Sequence, residues 1–130
     1  MTRRPAAWLP AVVWAGVIFH LSSRPTVPAP SIPGLDKVLH FAAYAVLGWL
    51  LAFAAERSRL PLAAAVVLGL LYGVTDEIHQ MYVPGRSPDL LDWFADAAGV
   101  AAATFLYARR LARRPARPGG ARGEAPFLRA

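Results

Sequence analysis

Residues 76–96 read DEIHQMYVPGRSPDLLDWFAD, and this stretch decides what kind of protein the chain is. It gathers carboxylates, a histidine, an amide and an arginine between an apolar run at 60–74 and another at 93–108. Ionisable groups set between two such runs are costly unless something compensates them. Working outward, two more apolar blocks stand at 6–21 and 38–55. Each block is a little shorter than the roughly 20 apolar residues that a spanning helix needs. Helices that reach the membrane surface must therefore draw in polar neighbours, which places His20, His40, Asp76 and Asp96 inside helical ends. The expected fold is all-α, a four-transmembrane-helix bundle.

Composition agrees with that reading. The chain is 56% apolar and 17% charged, and its apolar residues come in long blocks rather than amphipathic stripes. The net charge of +6 comes almost wholly from the arginine-rich stretch beyond Tyr107. The chain thus divides into a membrane domain, 1–108, and a basic tail, 109–130, expected to be unstructured and to lie against anionic lipid. That stretch lacks interleaved aromatics, so a nucleic-acid partner is not expected. There is no cysteine, which excludes disulfides, thiolate metal sites and a cysteine nucleophile. Arg3 and Arg4 precede the first block as they would in a signal peptide, but no small-x-small site follows Leu21, so a retained helix is expected.

Turn chemistry divides the blocks. Residues 23–33, rich in proline and serine, predict an extended loop. Asp36 is expected to cap the second helix. Glu56 to Arg59 makes a polar turn, and Pro61 fits the first turn of the third helix. Ser87, Pro88 and Asp89 read as cap, first-turn proline and first-turn acid of the fourth. With the N-terminus inside, the inner segments hold eleven basic residues and the outer loops only Arg24, Lys37 and Arg86. That split predicts both termini in the cytoplasm.

This topology collects every unusual polar group at the outer end. Asp36, His40 and Tyr44 share one helical face. Asp76 and Gln80 share a second, with Glu77 beside them. Asp89, Asp92 and Asp96 share a third, continued by Gly99 and Ala103. Asp76 and Asp96 lie about 10 Å below the outer helix ends. Carboxylates at that depth must meet a proton or a cation, with Lys37, Arg86, His40 and His79 as candidates. Arg86 and Asp92 flank the same helix start and are expected to pair. Asp96 is expected to be protonated or paired with a basic residue.

Several motifs occur in order: Leu21-Ser22-Ser23-x-Pro25, Asp36-Lys37-x-x-His40-Phe41-x-x-Tyr44, Tyr72-Gly73-x-x-Asp76-Glu77-x-His79-Gln80 and Val83-Pro84-Gly85-Arg86. With Asp92-x-x-x-Asp96-x-x-Gly99 closing the series, the chain resembles the VanZ-like family of small bacterial membrane proteins from Trp14 to about Leu106. The resemblance implies a multi-pass protein of the bacterial cytoplasmic membrane, in a family named for a protein linked to low-level teicoplanin resistance. The family pattern usually has asparagine where this chain has Asp96.

Two readings of the polar groups follow. The leading one is a pocket that recognises an envelope component: a lipid headgroup, a cell-wall precursor or a glycopeptide antibiotic. Its ligand-binding residues would be Lys37, His40, Tyr44, Asp76, Glu77, Gln80, Arg86, Asp92 and Asp96, with Arg86 and Lys37 as anion donors. The alternative is a membrane-embedded enzyme on a lipid-linked substrate, with Asp76, Asp92 and His40 doing acid–base work. Absence of His-Glu-x-x-His, G-x-S-x-G and a phosphate-cradling glycine loop weighs against it. Asp76, Glu77, Asp92 and His40 have the chemistry to hold a divalent cation, but the sequence assigns no metal and no cofactor. An ion-pair network that only ties the helices together is the bland counterpart of both readings, and self-association stays open.

Overall fold

The computed structural model describes residues 5–25 and 32–115. These form four α-helices: α1 (Leu9–Ser22, entered by a 3-10 turn at Pro5–Trp8), α2 (Leu35–Arg57), α3 (Leu62–Gln80) and α4 (Leu90–Ala112). With its entry turn, α1 spans 18 residues, and all four helices are long and apolar enough to cross a membrane. No strand occurs among the described residues. The fold is the four-transmembrane-helix bundle that the apolar blocks predict.

The boundaries depart from expectation in three places. Gly34, at φ +77°, precedes α2, so Asp36 lies inside its first turn rather than capping it. At α4 the cap is Asp89, whose side chain accepts from Leu91 N–H at 2.8 Å, and not Ser87. A carboxylate cap satisfies one of the free N–H groups of the first turn. Finally, α4 continues four residues past the apolar block to Ala112. Arg110 in this added turn packs on α2, its guanidinium 5.7 Å from the Trp49 ring centroid. The rest of the tail, 116–130, lies outside the described residues, as do Arg3, Arg4 and part of the 23–33 loop.

Where α2 ends, the chain reverses through Arg59 in the left-handed region at φ 58°. Leu60 N–H donates to Ala55 O at 2.9 Å and Arg59 N–H to Glu56 O at 3.1 Å. This is a Schellman closure made without the usual glycine.

Small residues set the packing. A Cβ on Gly48 of α2 would stand 2.8 Å from Val100 Cα, and one on Gly99 of α4 would run into the backbone of Phe41 and Ala45. The two backbones therefore touch along α2 and α4, as expected when van der Waals packing drives association in lipid. Val100 also faces Gly69, which brings α3 onto the same residue. In contrast, α1 lies at the periphery and buries only Ala11, Ile18 and Ser22. Polar ties hold it there: Trp14 Nε1 to Ala43 O at 2.9 Å, and the Tyr72 hydroxyl to Ala15 O at 2.5 Å. The C-termini of α1 and α3 and the N-termini of α2 and α4 share one end of the bundle.

Candidate functional site

At that end Lys37 is the hub. Its ammonium, from the first turn of α2, reaches Asp36 at 3.0 Å, Asp89 at 2.6 Å and Asp92 at 2.5 Å. One lysine thus joins α2 to both the cap and the first turn of α4. This corrects two expectations. Lys37 is saturated by carboxylates and is no free anion donor. Asp92 pairs with Lys37 rather than with Arg86, which forms no ion pair among the described residues. Outside the spans, Asp89 has its carboxyl held below the ordinary range, first by the Lys37 ammonium and then by the Leu91 N–H.

One turn deeper, His40 stands between two carboxylates. Its Nδ1 is 2.8 Å from Asp96 Oδ1 and its Nε2 is 3.7 Å from Asp92 Oδ2. Asp96, 1% exposed, therefore has the basic partner that its depth demands. Glu77 enters from α3, where its Oε2 accepts from Asp89 N–H at 2.9 Å. Single atoms of His40, Glu77 and Asp96 lie within 4.8 Å of one another, so α2, α3 and α4 each contribute one group to one spot.

Much of this cluster is unsatisfied. Both oxygens of Asp76, Glu77 Oε1, Asp96 Oδ2, Gln80 Nε2 and the Tyr44 hydroxyl are buried without a hydrogen-bond partner. Buried polar groups are ordinarily paired, and each orphan costs about 1–3 kcal/mol. Asp76, at 3% exposure, and Gln80, at 2%, are the most buried polar residues on α3.

Beside the cluster, a cavity of about 720 Å³ runs between α1 and α2. Its walls are apolar, including Trp14, Ile18, Leu39 and Val46, and its polar part is made by Asp36, His40, Asp76 and Arg86. Leu39 and Val46 are themselves exposed, so the cavity opens on the flank of the bundle. Of the nine candidate residues, Asp76, His40, Tyr44 and Arg86 line it. Lys37, Asp92, Asp96, Glu77 and Gln80 belong to the polar cluster behind. Sequence reasoning missed the α1 wall, although Trp14, Ile18 and Ser22 are spaced four apart on one face. His79 sits outside the site: it stacks on Phe19 at 4.3 Å and lies 2.9 Å from the Ser23 hydroxyl.

The VanZ/LLP1 family model matches residues 4–113, which takes in all four helices and every group of the cluster. No curated protein and no solved structure is significantly similar to the chain.

Proposed function

Because the chain belongs to the VanZ/LLP1 family and is a multi-pass membrane protein, we propose that it binds an envelope lipid in the bacterial cytoplasmic membrane. The hydrocarbon chain lies in the α1–α2 cavity, and the head group meets Arg86 and the carboxylate–histidine cluster on the outer face. One observation carries this reading: a cavity with apolar walls, open on the flank, ends at buried polar groups that lack partners. Ligand sites are mostly apolar with a few convergent polar groups, and a laterally open one in a membrane admits lipid. Arg86, with no carboxylate partner among the described residues, supplies the charge for an anionic head group. A lipid-linked cell-wall precursor belongs to this class.

The test is native mass spectrometry of protein purified in mild detergent. Wild type should retain about one lipid per chain. Ala42→Trp, which fills the cavity from an exposed position, should lose it, and Arg86→Ala should lose preference for anionic head groups. Equal retention by wild type and Ala42→Trp would sink the proposal. A second reading, an enzyme on a lipid-linked substrate, is favoured by the imidazole held between Asp92 and Asp96. It requires product formation by the purified protein, abolished by His40→Gln.

A further inference from the structure

We infer that His40, Glu77 and Asp96 bind a divalent transition-metal ion, Zn²⁺ in preference to Mn²⁺, at the junction of α2, α3 and α4. The inference stands apart from the lipid reading, because it concerns the ion alone.

The first support is geometric. One atom from each of the three side chains lies within 4.8 Å of the other two. A tetrahedral ion with bonds of about 2.0–2.1 Å spaces its ligands about 3.4 Å apart, so side-chain shifts of under about 1 Å close the set. The three ligands come from three helices packed closely at Gly48, Gly69 and Gly99. A site on such elements is held by the fold and not by a loop.

The second support is independent and concerns unmet demand. Asp96, 1% exposed, has Oδ2 without a partner, and Glu77 Oε1 is likewise buried and unpartnered. Asp76, 3% exposed, has neither oxygen satisfied. Six carboxyl groups gather at this end of the bundle (Asp36, Asp76, Glu77, Asp89, Asp92 and Asp96), and the basic side chains facing them are Lys37, His40 and Arg86. Lys37 is engaged by Asp36, Asp89 and Asp92 and His40 by Asp96, so among the described residues Asp76 and Glu77 have no basic side chain within ion-pair distance. A bound dication would give the unpartnered oxygens of Asp76, Glu77 and Asp96 the partner they lack.

Donor chemistry selects the ion. An imidazole nitrogen with two carboxylates suits Zn²⁺ or Mn²⁺, whereas Ca²⁺ and Mg²⁺ take all-oxygen sets. For a mixed N/O site the intrinsic order places Zn²⁺ above Mn²⁺. Three protein ligands leave a coordination position free for water. Asp92 then supports His40 from behind through the 3.7 Å approach to Nε2. Asp76, on the cavity wall with both oxygens free, accepts from ion-bound water.

The experiment uses the full chain, free of affinity tag and stripped with chelator, in detergent. Calorimetric titration with Zn²⁺ should show one saturable site per chain and a rise in thermal stability, with Mn²⁺ weaker and Mg²⁺ and Ca²⁺ weaker still. Glu77→Gln and Asp96→Asn keep shape and should weaken Zn²⁺ by more than the roughly 10–100-fold that loss of an outer-shell partner causes. Should either variant fail to fold, wild type alone decides: Co²⁺ should give visible absorption bands of mixed nitrogen–oxygen ligation, bleached by stoichiometric Zn²⁺. His20→Gln, at the exposed end of α1, should bind as wild type does. Absence of saturable binding overturns the inference. So does binding undiminished in both folded variants, or lost in His20→Gln, either of which marks an adventitious surface ion only.

Discussion

Each end of the bundle carries a carboxylate network, half-exposed at one end and mostly buried at the other, and the two are built to opposite standards. At the α2–α3 turn, Glu56 accepts from the Tyr107 hydroxyl through one oxygen and from Arg114 at 2.6 Å through the other. Both Glu56 oxygens and the buried Tyr107 hydroxyl thus have partners, and Trp49 packs edge-on against Tyr107 at 5.0 Å. At the other end Lys37 and His40 satisfy some carboxylates completely, while Asp76, Glu77 and Asp96 keep buried oxygens unmet. A network that serves only to tie helices together has no reason to carry orphans, since each one destabilises the fold. The completed end explains architecture, and the incomplete end is the one to which the proposed binding is assigned.

An envelope lipid can meet the incomplete end only if that end faces outward, so sidedness carries the largest expected effect. The chain has no native cysteine, so single thiols report cleanly. In intact cells a membrane-impermeant thiol reagent should label Ser87→Cys and leave Ser58→Cys untouched. The reverse pattern would turn the polar end inward and remove the envelope-lipid reading altogether.

Next in size is Asp96. Replacing it with leucine strands the His40 nitrogen now 2.8 Å away, and breaking a buried pair in this way costs about 3–5 kcal/mol. Asparagine keeps an acceptor for that nitrogen, so Asp96→Asn should fold nearly as well as wild type even though it weakens the metal. Thermal unfolding in detergent checks both. Equal losses for leucine and asparagine would mean that the charge itself holds the helices, and that this end is as architectural as the Glu56 end.

Two substitutions should differ in sign. Glu56→Ala leaves the Tyr107 hydroxyl, fully buried, without its partner, and should lose about 1–3 kcal/mol. Little of that loss belongs to Arg114, which is half exposed and contributes at most about 1 kcal/mol. Asp76→Asn replaces a buried carboxyl whose oxygens have no hydrogen-bond partner by an amide, so metal-free protein should lose nothing and gain up to about 2 kcal/mol, while its binding suffers. Matching losses at both positions would erase the difference between the ends.

Sequence made the fold and the gathering of the polar groups at one end of the bundle legible, but not their pairings. Apolar blocks located the four spans, and helical spacing put Asp76 with Gln80 and Asp92 with Asp96 on buried faces. Spacing along one helix says nothing of how neighbouring helices are rotated about their axes. That rotation decided that Lys37, 52 and 55 residues before its partners, reaches Asp89 and Asp92 while Arg86 turns to the cavity. The same blindness hid the α1 wall and the Glu56–Tyr107 contact, both products of tertiary packing. Boundaries failed for a simpler reason: arginine is a good helix former, so α4 runs through Arg109 and Arg110 past the last apolar residue of its block.

The smallest expected effect concerns pH, and it isolates the outermost link of the incomplete end. Asp89 lies outside the spans, and its carboxyl is held below the ordinary value of 3.8, mainly by Lys37 at 2.6 Å. A carboxyl whose folded value is depressed contributes stability that is fully present above its unfolded value. That contribution fades as pH falls through the lower folded value. Wild type should therefore exceed Asp89→Asn in thermal stability by a constant margin from neutral pH down to about pH 5, and the margin should shrink below about pH 4. Asparagine still caps α4 through Leu91 N–H, so the margin reports the Lys37 link and not the cap. Comparing variant with wild type at each pH cancels the titration of the deeper carboxylates, which both proteins share. A margin that grows on acidification would mean that Asp89 is repelled by its neighbours more than Lys37 attracts it. In that case the excess of negative charge would extend to the rim of the site, beyond the buried groups alone.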